Sequence, residues 1–177
     1  TSVGFVVGSL LMARFSRLLP EQAWIEDVWV CSTLSRNFRS ATVRVRVETG
    51  GSKAALRWIL TDAKGREARR GEAGASGPAT DFDIVVREPQ LWWPRGYGSQ
   101  SLYRAQVTLL AGDRPQQTLQ RTIGFRRITM HEHLHFAVNN VPVMLRGGAW
   151  VTPNLMSRVW EQARMERLFA LAENANY

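Results

Sequence analysis

Ala41-Thr42-Val43-Arg44-Val45-Arg46-Val47-Glu48 alternates apolar and polar side chains without a break. Successive side chains of a β-strand point to opposite faces. Val43, Val45 and Val47 therefore share a buried face, and Thr42, Arg44, Arg46 and Glu48 a solvated one. The same period recurs on both sides of this stretch. Upstream, Val28 and Val30 alternate with Trp29 and Cys31. Downstream, Gly50-Gly51 turns the chain, and Leu56, Trp58 and Leu60 share a face. Thr61-Asp62-Ala63-Lys64-Gly65 reads as a hairpin loop. Phe82, Ile84 and Val86 alternate with Asp81, Asp83 and Arg87. Tyr103, Ala105, Val107 and Leu109 face one way, Ala111-Gly112-Asp113-Arg114-Pro115 turns back, and Leu119, Ile123 and Phe125 continue the return. Short strands at regular spacing, with turn chemistry between them, specify an antiparallel β-sandwich. The span 25–127 has the length of an immunoglobulin-like domain, without the two-cysteine core of antibody domains.

Two stretches interrupt the alternation. Residues 71–78 are rich in Gly, Ala and Ser and read as a loop or mobile connection. Leu91-Trp92-Trp93-Pro94 ends in proline and leads to Gly96 and Gly98, which marks a corner or edge.

The pattern changes after residue 127. Ile128 to Val138 reads as one more extended piece. Asn139-Asn140 is a tight-turn signal, because Asn tolerates the left-handed conformation of two-residue hairpins. Val141 to Leu145 reads as a short buried strand, followed by Arg146, Gly147-Gly148, Trp150 and Pro153. Ser157 is a candidate N-cap. Met165, Leu168, Phe169 and Ala172 then follow the spacing of one buried helical face. A strand, a loop and an amphipathic helix make the opening βα step of an α/β unit. One such step cannot close a barrel, so this second domain is expected to be incomplete.

The 177 residues carry a formal charge of +8, nearly all from Arg; Lys53 and Lys64 are the only lysines. The arginines are scattered along strand faces, which speaks for solvated surfaces and against a nucleic-acid patch. The single cysteine, Cys31, rules out an intrachain disulfide and a cysteine metal cluster. The apolar run from Val3 to Ala13 is too short to span a bilayer and lacks the basic start of a signal peptide. Residues 1–24 are expected to be a remnant of, or linker from, a preceding domain. The compartment stays open.

With these motifs in place, the chain resembles the family 2 glycoside hydrolases, and within them the β-mannosidase and exo-β-glucosaminidase branch. Trp24-Ile25-Glu26-Asp27-Val28 is similar to the segment that opens the family's immunoglobulin-like domain. Leu91-Trp92-Trp93-Pro94 with Gly96, Leu102 and Tyr103 is similar to its Leu-Trp-Trp-Pro…Gly…Leu-Tyr element. Ile123-Gly124-Phe125-Arg126 resembles the strand that ends the sandwich. Phe136-x-Val138-Asn139-x-x-Pro142 through Arg146-Gly147-Gly148 resembles the entry into the catalytic (β/α)₈ barrel. Asn140 stands where the family usually has Gly, and Asn154 where that branch often has Asp.

The resemblance implies a retaining exo-β-glycosidase acting on a terminal β-mannoside, β-glucosaminide or β-galactoside-like sugar. Two carboxylates about 5–5.5 Å apart would serve as acid/base and nucleophile. In the family both are glutamates on later barrel strands, and no Glu here lies in the expected Asn-Glu context. No catalytic residue is therefore assigned, and the chain alone is expected to be inactive. Residues 25–127 would be a scaffold sandwich, and residues 128–177 the start of the barrel. The expected substrate-contacting residues are Arg146, Trp150 and Asn154. Trp150 follows Gly147-Gly148 at a strand end, where it would either stack on a sugar face or serve packing. Arg146 would pair with a carboxylate or satisfy a charge in the barrel core.

Other features read more simply as structure. His131, His133 and His135 on one strand would share a face at about 7 Å spacing, compatible with a metal but more simply an exposed polar face. Trp92 and Trp93 suit a core or interface better than a sugar platform. Arg126-Arg127 suits an interdomain salt bridge. The expected partners are a carbohydrate substrate and neighbouring domains, with no cofactor, nucleic acid or membrane. The alternative is a non-catalytic immunoglobulin-like module that binds carbohydrate or protein.

Overall fold

The computed structural model of the chain describes residues 22–75, 77–131, 135–145 and 162–175. Seven strands form a sandwich: β1 (Trp24–Leu34), β2 (Ser40–Gly50), β3 (Ala54–Thr61), β4 (Glu67–Ala75), β5 (Ala79–Arg87), β6 (Tyr103–Ala111) and β7 (Arg114–Ile123). One sheet has the order β1-β2-β5 and the other β4-β3-β6-β7, all antiparallel. This three-on-four arrangement is an immunoglobulin-like sandwich.

The alternation carries over into burial. Val43, Val45, Val47, Leu56, Leu60, Leu109 and Phe125 are fully buried, and Val28, Ile84, Val86, Tyr103, Ala105 and Val107 complete the core. Each fully buried Val or Leu contributes about 1.5–3 kcal/mol relative to exposure. Tyr103 packs edge-on against Phe125, with ring centroids 4.6 Å apart. Its hydroxyl accepts the Gln90 amide at 3.1 Å. A tyrosine near the start of the sixth strand that bonds back to upstream backbone is a hallmark of this fold.

The opposite face of β2 is solvated through charge ladders. Arg44 pairs with Asp83 and Arg46 with Asp81 across the β2–β5 register. The sheet edges are stitched by side chains reaching backbone. Gln117 on β7 accepts from the Ile25 amide and donates to the Ile25 carbonyl, and Arg121 donates to the Val28 carbonyl and the Asp27 carboxylate. At the other edge Arg69 donates to the Val85 carbonyl and Thr80 to the Gly74 carbonyl. Unpaired edge groups that would template aggregation are thereby occupied.

The β3–β4 hairpin shows how local chemistry sets register. Asp62 accepts from the Lys64 and Arg66 amides and from the Arg66 guanidinium. The Arg66 amide is the largest cause holding the Asp62 carboxyl below the ordinary carboxylate range, with the Arg66 side chain and the Lys64 amide adding to it against partial desolvation. A carboxyl whose folded pKa lies below its unfolded value stabilises the fold above the unfolded value. That contribution is lost as pH falls through the folded value. The Lys64 and Arg66 amide resonances are therefore expected to titrate together below the ordinary Asp value of about 3.9. Titration at or above that value contradicts the turn geometry.

Four expectations change. Residues 71–75, expected in a loop, belong to β4. Gly71 sits under the Trp58 ring, in the space a Cβ would need. Trp58 in turn stacks on Phe82, with centroids 5.6 Å apart. The glycine serves close packing, not mobility.

Residues 128–138 are not one extended piece. They form β8 (Ile128–His131) and β9 (His135–Val138), paired antiparallel with His131 opposite His135. The single strand on which three histidines were expected is therefore two paired strands, and His133 lies outside the described residues.

The strand expected at 141–145 is β10 (Val141–Val143), which pairs antiparallel with β9 in a separate sheet of order β10-β9-β8. Asn139 (φ 51°) and Asn140 (φ 67°) form the two-residue turn between β9 and β10, as expected.

Helix α1 (Gln162–Asn174) is present, but none of its residues is buried. Met165, Leu168 and Ala172 are half-covered, and Phe169 is 62% exposed. The stripe has the right spacing without the expected depth of cover. Ser157, the expected N-cap, lies outside the described residues.

Candidate functional site

Arg146, Trp150 and Asn154, the residues expected to touch substrate, lie outside the described residues, as do Gly147 and Gly148. What the structure defines is the frame from which that segment departs: the end of the sandwich where β7, the 88–102 loop and the Asn139-Asn140 turn meet.

Asn139 sits at the centre of this frame, 5% exposed. Its backbone amide donates to the Arg127 carbonyl at 2.8 Å, and its Oδ1 accepts the Arg127 amide at 2.9 Å. Its Nδ2 donates to the Trp92 carbonyl at 3.0 Å. Trp92 is held from the other side by its own amide, which donates to the Phe125 carbonyl at 2.9 Å.

The two arginines have separate tasks. The Arg126 guanidinium lies 4.6 Å from the centroid of the Trp92 ring, a cation–π contact. Arg127 spends its donors on the carbonyls of Leu34, Ser35 and Arg36 and lies 4.8 Å from the Phe38 ring. Phe38 is held at φ 60°, which a bulky side chain rarely adopts. Among the described residues the charge of the pair serves a ring and a row of backbone carbonyls; the interdomain salt bridge expected of it calls for a partner outside them.

Trp92 and Trp93 are both half-buried. Trp92 packs against Gly124 and Trp93 against Gly98. Both serve the corner, in keeping with the structural reading of this pair. Beyond them the Tyr97 hydroxyl accepts the Met144 amide at 3.2 Å, and Arg95 pairs with Glu173 of α1 at 2.8 Å. These two contacts connect the 88–102 loop to the C-terminal elements.

At the opposite end of the sandwich a cleft of about 430 Å³ is lined by Gln22, Ala23, Lys53, Ala54, Leu110 and Gln116, among others. Its lining contains no carboxylate. Elsewhere carboxylates are engaged by arginine at the surface: Asp83 by Arg44, Glu72 by Arg57, Glu88 by Arg39 and Asp27 by Arg121. Among the described residues no three His, Cys, Asp or Glu side chains converge as a metal site. Cys31 is half-buried on the outer side of β1. Trp29, on the same strand, is 55% exposed.

Sequence reasoning missed the roles of two residues that shape this end. The sequence placed Asn139 in the turn and the barrel-entry element, and Tyr103 in the core and the Leu-Tyr element, without the hydrogen bonds their side chains make. Both asparagines are left-handed, so the turn alone accounts for the doubling, and the sequence carried no separate signal for the Asn139 side chain.

Comparison with known proteins adds the following. The family model for glycosyl hydrolases family 2 matches residues 23–126, the extent of the sandwich. β-Mannosidase B of Thermothelomyces thermophilus is 24% identical over 164 residues, covering 86% of this chain and 19% of that protein. β-Mannosidase B of Aspergillus fumigatus is 29% identical over 164 residues, covering 84% and 19%. The chain thus spans about a fifth of the length of these curated relatives. In fold it is similar to a β-glucuronidase of Bifidobacterium dentium, with a TM-score of 0.68 and 19% identity over 87% of this chain and 26% of that one. A β-glucuronidase of Parabacteroides merdae gives a TM-score of 0.62 at 20% identity over 71% and 16%.

Proposed function

Because the chain belongs to the family 2 glycosyl hydrolases, we propose that it is the scaffold segment of a retaining exo-β-glycosidase, with a β-mannoside as the leading substrate class. The observation that carries this reading is the coincidence of the family match, residues 23–126, with the seven-stranded sandwich. The mannoside preference is supported by the names of the two curated relatives described above, both β-mannosidases B.

In this reading the sandwich does no chemistry. It holds the segment after residue 139 at a fixed angle, so that Arg146, Trp150 and Asn154 form one wall of the sugar site. Trp150 would stack on a pyranose face. Arg146 would orient or neutralise a carboxylate, and Asn154 would hydrogen-bond a sugar hydroxyl. The two carboxylates of a retaining mechanism would come from later barrel strands. The partners are a carbohydrate and the neighbouring domains of the same protein, and the chemistry calls for no cofactor, nucleic acid or membrane.

A chimera tests the scaffold role. Aspergillus fumigatus β-mannosidase B whose matching segment is replaced by residues 23–126 of this chain is expected to fold and to cleave an aryl β-mannoside. A folded chimera without that activity contradicts the scaffold role.

A further inference from the structure

We propose that Asn139 is a positioning residue: it fixes the direction in which the chain leaves the sandwich toward residues 146–154. The inference goes beyond the glycosidase reading and does not depend on which sugar, if any, is bound.

The β8–β9 register pairs Ile128 with Val138, so the next rung would pair Arg127 with Asn139. Asn139 has already turned into the left-handed region, at φ 51°. Its backbone amide still reaches the Arg127 carbonyl, but the Arg127 amide is met by Asn139 Oδ1 in place of a backbone carbonyl. The side chain completes a rung that the turn would otherwise break. Its second polar atom, Nδ2, bonds the Trp92 carbonyl, a group on the corner loop 47 positions away.

One buried side chain therefore joins three segments: the strand leaving the sandwich, the corner loop, and the β9–β10 hairpin. Each of the other two is anchored independently. Trp92 is held by Phe125, and Arg127 by the carbonyls of the β1–β2 loop. A hairpin attached only through its strands would swing about the 126–128 backbone; the buried bond to Trp92 opposes this rotation at its base, beside the exposed Met144–Tyr97 bond beyond β10.

The neighbouring residue is a built-in control. Asn140 is also left-handed, at φ 67°, but it is exposed, and its side chain makes no hydrogen bond among the described residues. The turn needs both conformations, while the attachment needs only the first side chain.

The test is nuclear magnetic resonance on the 177-residue chain. In the natural sequence, residual dipolar couplings of β9–β10 amides and of sandwich amides are expected to fit one alignment. Asn139→Gly keeps the left-handed backbone and removes both side-chain bonds. Exchange of the Arg127 amide is expected to accelerate about tenfold, the effect of one net hydrogen bond. The hairpin couplings are expected to shrink relative to those of the sandwich, while cross-strand contacts between Val138 and Val141 persist. Asn140→Gly is expected to change neither readout. Asn139→Asp keeps the acceptor and loses the donor, so Arg127 stays protected while the hairpin couplings still shrink. Undiminished couplings in both Asn139 variants overturn the proposal. So does an Asn140→Gly variant that matches Asn139→Gly.

Discussion

Phe125→Ala is expected to lower the free energy of unfolding by about 3–5 kcal/mol, the range for removing a fully buried aromatic side chain. Phe125 has no exposed surface, and three roles converge on it. Its ring meets Tyr103 at an interplanar angle of 67°, an edge-on arrangement that adds about 0.5–1.5 kcal/mol to area burial. Its backbone forms a parallel bridge with Leu91, and its carbonyl accepts the Trp92 amide. The ring therefore plugs the sandwich at the end where the corner loop folds over it. A cavity there is walled by strands from both sheets and cannot collapse without moving them. Denaturant titration measures the effect. A loss below about 1 kcal/mol would place the ring in a site that repacks freely, contrary to the packing described here.

Arg127→Met is expected to cost about 2–4 kcal/mol, because it leaves several partly buried carbonyls without their charged donor. Methionine restores much of the length and apolar bulk of the side chain, so the loss reports the guanidinium. Its donors meet the Leu34, Ser35 and Arg36 carbonyls at 3.1, 2.7 and 3.4 Å. It also covers Phe38, whose left-handed backbone is held against its own preference by this surrounding. Arg126→Met serves as the comparison. Arg126 is exposed and lies over Trp92, a contact worth about 0.5–1 kcal/mol at a surface. Equal losses from the two substitutions would contradict the division of labour between the two arginines.

The strands were legible wherever one face is buried and the other solvated, since the side-chain period then writes itself into the sequence. Val43 to Val47 and Tyr103 to Leu109 are of this kind. Gly71 to Ala75 was not legible as strand, because Gly71 answers to Trp58, a partner on another strand that no local window contains. The break in 128–138 escaped for the converse reason. Apolar residues at 128, 130, 134, 136 and 138 keep one period across it with Glu132 as the exception, and such a period does not show where a chain reverses. Arg126 and Arg127 read alike as charges; only the arrival of loop carbonyls on one side and an indole on the other separates them. The stripe of Met165, Leu168 and Ala172 was found, yet spacing predicts which residues share a face and not what covers it. Of the proposed site, sequence supplied the candidates Arg146, Trp150 and Asn154, which lie outside the described residues, and the structure supplies the frame that precedes them in the chain.

The central claim is that this chain is scaffold and that catalysis needs carboxylates it does not contain. It is tested most directly by assaying the purified 177-residue chain against an aryl β-mannoside and an aryl β-glucosaminide. Its fold should first be verified by a cooperative unfolding transition. No turnover above the uncatalysed rate is predicted for either substrate. Sustained hydrolysis of either one, co-purifying with the folded chain, would contradict the account.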